Sequence, residues 1–491
     1  MTIPWRIALL LAFSLVVAVS FFVPGVKYTS PGIVLLVGAF LVARRAPHIV
    51  VCATFAYLCF EQFVFSMLSV EVILILKVLP ELLLLVVMTA MADGLMRRSR
   101  AHRAGIIVLS AAGFMVLVSG LFNDIPLDDC VYYGRKILRY IPLVLIMPAA
   151  FDRESRIRFL QRFIAGMVFI QLLVAGAQVV MGESAYHYFR PTVDSVMIGD
   201  YIVPVARQLE VVEGTRLIGT LGTYMDLGLF LFFAGCFISP FALGDRAHLV
   251  ISRWLVHVLL VGIGMCLVMT FSRLTILAAV VALGAYLLRQ RQWFLLASYV
   301  TVCIVVALVP FLIEEFSVGS AERATNISER LWGTYSLDYL DPGRYIRAFL
   351  LFIVPPAVMR VSPFFGIGPG FSRMPDLNLP NWVPIITADN GYVSLLIQFG
   401  LLGVVLFITM QTWLIKSLWK TWAMKRSIDE QRLTLALLTF LVGIPAAHLF
   451  VDVLTIRYGS FMFWMACGLA FGVVWREKSS ALQLESAGQE S

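Results

Sequence analysis

"ADNGYVSLLIQFGLLGVVLFI" runs from Ala388 to Ile408. A polar pair, Asp389-Asn390, is followed at once by an apolar run with no charged residue before Lys416. At about 1.5 Å of rise per residue, roughly 20 such residues cross the hydrocarbon of a bilayer. The run shows no alternation of apolar and polar positions, so it reads as a helix and not as a barrel strand.

Comparable runs recur along the chain. Spans are expected at 7–23, 31–43, 49–69, 72–91, 105–122, 136–150, 159–181, 219–239, 250–270, 274–289, 293–313, 390–415, 433–451 and 458–475. The composition agrees: 60% hydrophobic and 14% charged residues, with a mean hydropathy of +0.89. Soluble domains sit near 25% charged. Lipid admits only helices and closed barrels as spanning structures. The expected fold class is therefore all-α, a polytopic helical membrane protein of about 12 to 14 crossings. The first run, behind Arg6, contains a small-x-small triplet, Ala18-Val19-Ser20. Phe21-Phe22-Val23-Pro24 follow it directly, so it reads as an anchored helix and not as a cleaved leader.

Loop charges set the orientation. Arg6, Arg44-Arg45, "RRSRAHR" (97–103), "DRESRIR" (152–158), "GDRAHLVISR" (244–253), "RQRQ" (289–292), "KSLWKTWAMKR" (416–426) and "REK" (476–478) all fall on one side. The positive-inside rule makes that side cytoplasmic and puts both termini there. The opposite side receives the acidic "NDIPLDDC" (123–130), with Arg135-Lys136 as a basic exception, and two long loops. The expected organisation is helices over 1–181, a loop over 182–218, helices over 219–313, a long loop over 314–389, helices over 390–475 and a cytoplasmic tail over 476–491. Loops beyond about 12–15 residues are usually functional or disordered. These are rich in aromatics, Pro and Gly, which favours order. Within the second, 349–358 is apolar enough for an amphipathic or re-entrant segment.

The net charge of +8 is mostly this cytoplasmic anchoring, and no basic face interleaved with aromatics suggests nucleic acid. The seven cysteines form no CxxC pair and the six histidines no metal spacing, so neither a metal site nor a cofactor is expected.

External arginine runs against the charge bias. The first long loop carries Arg190, Arg207 and Arg216, the last at the mouth of a helix before Gly219 and Gly222. Arg273 lies in a tight external turn, and the second loop holds Arg323, Arg330, Arg344, Arg347, Arg360 and Arg373. Guanidinium groups bind phosphate bidentately and glycine lets backbone approach an anion. The set suggests a phosphate or pyrophosphate site; pairing with Glu210, Glu213, Asp338 or Asp341, or snorkelling to headgroups, is the structural alternative. Asp389-Asn390 reads as an N-cap, and its carboxylate as a base for an incoming hydroxyl. His448 and Asp452, near Arg457, share a helical face, as a functional pair or a hydrogen-bonded structural one. Lys77 and Glu81, four apart, read as a mutually neutralising structural pair with Glu61 nearby.

The chain resembles the O-antigen ligase and O-antigen (Wzy-type) polymerase superfamily of integral membrane glycosyltransferases. Four patches carry the likeness in order: "RLIGTLGTYMDLGLFL" (216–231), "TFSRLTILAAV" (270–280), an arginine-led stretch before "PFFGIGPGFS" (363–372), and "ADNGYVSLLIQFGLLG" (388–403). The resemblance implies a glycan held on undecaprenyl pyrophosphate outside the bacterial inner membrane. An acceptor hydroxyl then attacks the anomeric carbon, without a metal. It implies a glycan acceptor as co-substrate, and a flippase and chain-length regulator as partners. Arg216 and Arg273 match family arginines by position. Arg347 or Arg344 matches the arginine before the Gly-rich patch, with Arg330 as competitor. On this reading Asp389, Arg216 and Arg347 are catalytic, while Arg207, Arg273, Arg330, Arg344, Asn390 and His448 bind substrate. Ligases of the family carry a histidine before the Asn of the last patch, where this chain has Asp389, which favours a polymerase over a ligase. A lipid-linked oligosaccharide flippase would share the helix count and the carrier, but the chain shows no internal repeat of the transporter kind.

Overall fold

Apolar runs become helices in the computed structural model, which describes residues 29–68, 70–97, 100–181, 195–198, 201–204, 217–242, 252–270, 272–289, 291, 354–369, 390–423, 427–449 and 451–489. Among them are thirteen helices. They are α1 (Thr29–Arg45), α2 (Pro47–Ser66), α3 (Val70–Arg97), α4 (Arg100–Phe122), α5 (Leu127–Leu138), α6 (Leu143–Ala150) and α7 (Glu154–Met181). After a hairpin come α8 (Tyr224–Ala242), α9 (Arg253–Met269), α10 (Arg273–Arg289), α11 (Gly391–Trp422), α12 (Ile428–His448) and α13 (Arg457–Gln489). The hairpin pairs β1 (Ser195–Ile198) with β2 (Tyr201–Pro204), antiparallel, with Ser195 opposite Pro204. Six of the described helices are long and apolar enough to cross a membrane, and α9 and α10 are shorter apolar helices. The protein is a polytopic helical membrane protein. The expected spans 7–23 and 293–313 lie outside the described residues, as does most of both long loops.

Helix boundaries follow local chemistry. Pro47 opens α2, where its missing N–H costs nothing. The Ser252 and Ser427 hydroxyls cap α9 and α12 by accepting from Leu255 N and Glu430 N, each at 3.4 Å. The expected span 136–150 is instead two pieces: α5, a turn over 139–142, and α6 with Pro148 inside it. Helix α5 is amphipathic. It carries Asp128 and Asp129 in its first turn and Arg135 and Lys136 in its last, the order the helix dipole favours. The span divides at Pro142, which lacks the N–H that a continuous helix would need there.

Helix α13 occupies the middle of the bundle, packed on α2, α4, α6, α8, α11 and α12. Its small residues allow the approach: a Cβ on Gly468 would collide with the Leu143 carbonyl, and one on Gly472 would meet Pro148 Cα at 3.1 Å. Aromatic rings fill the rest, with Phe461 stacked on Phe55 (5.6 Å) and edge-on to Tyr140 (5.3 Å).

Candidate functional site

Three irregular features meet at one end of the bundle. The first is a break in α11. At Gly400 the backbone leaves helical geometry (φ 64°, ψ −162°), so the span is two half-helices end to end. Such a dihedral pair belongs almost only to glycine. The break leaves unpaired carbonyls above it and unpaired N–H groups below it. A short helical stretch, 354–361, leads a loop into the gap. Ile367 N donates to Ile397 O (2.7 Å), while Leu401 N and Leu402 N donate to Pro363 O (2.9 Å) and Phe364 O (3.3 Å). Ser119 Oγ lies 2.6 Å from both the Phe365 and Gln398 carbonyl oxygens, and Asn123 Nδ2 donates to Gly366 O (3.0 Å). Val354, Val358 and Ile367 bury themselves against Val393, Leu396 and Ile397. Residues 354–369, with the start of the Gly-rich patch, thus plug the break.

The second feature is the start of α11. Asn390 is its N-cap, as its side-chain type suggests: Oδ1 accepts from Tyr392 N (2.9 Å) and Val393 N (3.1 Å). Asn390 Nδ2 donates to Leu449 O (2.6 Å), tying this end to the turn after α12. His448 is fully buried, stacked on Phe407 at 5.0 Å and edge-on to Tyr392 at 5.4 Å. A Cβ on Gly391 would lie 2.8 Å from its Nδ1. In the turn, the Asp452 carboxylate takes a hydrogen bond from the Ser394 hydroxyl and others from Leu454 N (3.1 Å) and Thr455 N (3.4 Å). Burial nevertheless pushes Asp452 up to about 6, because the charged form loses its water.

The third is a cluster of buried and half-buried charges. Glu61 of α2 forms an ion pair with Arg457 at the head of α13, and Arg457 Nη2 also donates to Lys77 O. The charges of Lys77 and Arg139 bear on the same carboxylate. Glu81 turns to Arg135 of α5 (2.6 Å). The sequence had joined Lys77 to Glu81; the fold instead gives both acids arginine partners from distant segments. Arg139 Nη2 donates to Thr455 O (2.8 Å), and Lys136 lies over the Tyr132 and Tyr133 rings at 4.6 and 4.8 Å.

The turn 217–223 adjoins this cluster. Thr220 Oγ1 donates to Cys59 O of α2, and Leu217 N donates to Met269 O at the end of α9 (3.4 Å). Thr223 Oγ1 donates to Asp226 Oδ2 (2.7 Å) and accepts from Asp226 N (3.1 Å), which starts α8. Of the arginines marked in the sequence, Arg273 begins α10, four residues beyond Met269. Arg207, Arg216, Arg330, Arg344 and Arg347 lie outside the described residues, and so does Asp389. The sequence reading missed Lys77, Arg139 and Arg457 as one group. The available signal was that each is a cation next to an apolar run.

The described residues thus present a bundle of apolar helices, one of them broken and plugged, beside a cluster of buried and half-buried charges. Residues 258–408 match the model of a family described as O-antigen ligase, which supports the O-antigen ligase and polymerase superfamily. The match begins within α9 and takes in α10, the plug and the first half of α11 together with the break. It supports an enzyme that processes lipid-linked glycans in polysaccharide biosynthesis. No curated protein matches the chain.

Proposed function

We propose that the protein is a polymerase of surface polysaccharide. It joins repeat units carried on undecaprenyl pyrophosphate, at the periplasmic face of the inner membrane, with both termini in the cytoplasm. The observation that carries this reading is the match of residues 258–408 to a family described as O-antigen ligase. Near the turn before α13, Lys77, Arg139 and Arg457 bear on the Glu61 carboxylate, and Arg135 pairs with Glu81. The pyrophosphate of a lipid carrier is the kind of group that such cations recognise.

In the proposed step an acceptor hydroxyl attacks the anomeric carbon of the carrier-linked glycan. The new glycosidic C–O bond forms as the C–O bond to pyrophosphate breaks. The electron pair leaves on the pyrophosphate oxygen, and the hydroxyl proton passes to a carboxylate, for which Asp389 is the candidate. Arg216, Arg273 and Arg347 join the cluster in steadying the departing charge without a metal, with Arg207, Arg330 and Arg344 as further contacts to the carrier. Asn390 and His448 contribute by holding the end of α11 that follows Asp389. A chain-length regulator and a flippase are the partners such a step needs.

The second reading is transfer of the finished glycan to a lipid core, and the family description itself favours it. Asp389, where ligases carry histidine, favours polymerisation. Glycan size in a strain lacking the gene separates them. Single repeat units at the surface without long chains support a polymerase. Full-length chains stranded on the carrier mean a ligase, and repeat units trapped on the cytoplasmic side mean a flippase. Arg216→Ala and Arg347→Ala are each expected to abolish polymer while the protein accumulates. Lysine should rescue poorly where the contact is bidentate.

A further inference from the structure

Two corners of one end of the bundle treat their cations differently. Helices α7 and α12 begin at this end, and α10 and α11 finish there. Around the heads of α7 and α12 the arginines meet carboxylates. Arg156 pairs with Asp152 (2.7 Å), Arg158 with Asp429 (3.5 Å) and Arg476 of α13 with Glu430 (3.8 Å). At the tails of α10 and α11 an arginine meets aromatic rings instead. Arg289, the last residue of α10, lies over Trp419 at 4.5 Å and Trp422 at 4.0 Å, both in the last turn of α11. Packing against Tyr286, Leu287 and Leu435 fixes Trp422. Trp419 is on the outer face of α11, with Lys416 three residues before it and Lys420 four residues beyond Lys416, and all three are exposed.

A guanidinium has more N–H donors than one carbonyl can satisfy. Arg289 Nη2 donates to Trp419 O (3.3 Å), while Nε is buried with no acceptor among the described residues. The charge that bears on Arg289 is that of Arg291, of the same sign. Arg291 stands there because the chain turns back after α10, with Arg291 N donating to Leu288 O (3.2 Å) and a φ of 55°. Among the described residues no carboxylate pairs with Arg289, Arg291, Lys416 or Lys420. The positive-inside bias accounts for basic residues at this end and says nothing of what they touch. Stacking on indoles, with a second arginine alongside and no acid between, leaves like charges close together and donors without acceptors. A phosphate answers both needs, since it carries negative charge and several acceptor oxygens. The corner lies where two apolar helices end, and Leu288, next to Arg289, is exposed as a surface for an acyl chain. We infer that the tails of α10 and α11 form a binding site for the phosphate of an anionic membrane phospholipid. Arg289, held flat by Trp419 and Trp422, is its centre, and Arg291, Lys416 and Lys420 surround the headgroup. A lipid bound there ties together α10 and α11, both of which pack on α12. The site is separate from the glycan chemistry and holds for a polymerase, a ligase or a flippase alike.

The test uses the full chain in detergent, titrated with phosphatidylglycerol and, separately, with phosphatidylcholine. Melting temperature and the lipids retained in native mass spectrometry are the readouts, and neither needs an activity. Phosphatidylglycerol is expected to raise the melting temperature saturably and to stay bound at a defined stoichiometry, and phosphatidylcholine to do neither. Arg289→Gln should weaken half-saturation by phosphatidylglycerol about fivefold, the scale of one cation at a membrane surface. Arg289→Lys should weaken it nearly as much, because a flexible ammonium replaces the flat, stacked fork. Should the Arg289 variants fail to accumulate, Lys420→Gln on the exposed face reads the same site. Arg103→Gln removes an exposed cation at the head of α4 and is expected to leave half-saturation unchanged. An equal loss in Arg103→Gln would show an effect of overall charge and overturns the site. So does a half-saturation that Arg289→Gln and Lys420→Gln leave unchanged. Full affinity in Arg289→Lys overturns the role of the stacked guanidinium. Equal stabilisation by phosphatidylcholine, or by inorganic phosphate alone, overturns the anionic lipid as occupant.

Discussion

The break at Gly400 and the turn 217–223 face the same problem and solve it differently. Each puts irregular backbone inside a bundle where unpaired N–H and C=O groups have no water to turn to. At Gly400 the backbone of the plug pairs with the backbone of the two half-helices, through Ile367, Leu401 and Leu402. At 217–223 two side-chain amides from α7, Gln171 and Gln178, satisfy three consecutive N–H groups. Backbone-to-backbone repair demands the absence of side chains at the meeting point: a Cβ on Gly400 would collide with the Phe364 carbonyl, and one on Gly366 with Ile397 O. Side-chain repair demands particular residues at a distance. The first device is fragile to any added atom, and the second to the loss of a few specific ones.

That contrast can be broken in order of expected effect. Gly400→Val forces a branched side chain into a glycine-only conformation against the plug, and should cost about 3 kcal/mol or more. Loss of monodisperse protein after detergent extraction checks it; a well-behaved variant of normal melting temperature would show that the break needs no glycine. Gln171→Leu leaves Thr220 N unpaired and should cost about 1–3 kcal/mol, read as a lowered midpoint with the fold retained.

Asp452 tests the link between the two devices' neighbours, since it ties Ser394 of the broken helix to the turn before α13. Its folded-state pKa is raised from 3.8 to about 6, so its protonated form is favoured in the fold. Its contribution to stability is therefore full below the ordinary carboxylate value and is lost as pH rises through about 6. Melting temperature should fall across that window in the wild type and fall less in Asp452→Asn. Equal slopes would show that another group carries the dependence. The smallest effect is a control. Gly176 lies between the two glutamines, yet a Cβ there meets nothing within 4 Å. Gly176→Ala should raise stability by about 0.5–1 kcal/mol through helix propensity. A loss of stability would mean that α7 depends on its glycine as well as its amides.

The sequence made the spans legible because hydropathy over a helix length is a local property. The cap at Asn390 was legible for the same reason: its residue type and its place before an apolar run suffice. The break was not, because Gly400 sits in a run with no charge or proline on either side, "LLIQFGLLGVV", and nothing local marks a helix that stops and restarts. The pairing of Glu61 with Arg457 joins residues 396 apart in sequence, and no periodicity reports such a contact. Gln171 and Gln178 were visible as polar residues in an apolar helix, but their partner is a turn that only the fold brings alongside. The cluster of cations was read in fragments, one as a structural pair and another as an exception to the charge rule.

The central place of α13 bears on how the protein is made. In an 18-residue apolar window of 457–476, 94% of the residues are buried, although this is the last of the described helices to leave the ribosome. The six helices that pack on it must therefore enter the bilayer around an unfilled axis, with Leu143, Met147 and Pro148 facing the place that Gly468 and Gly472 later occupy. A chain that stops short of Arg457 therefore lacks the piece on which six other helices pack. Quality control that samples the membrane for unpacked helices would see such a truncated product as unfinished throughout, and not merely as missing its end.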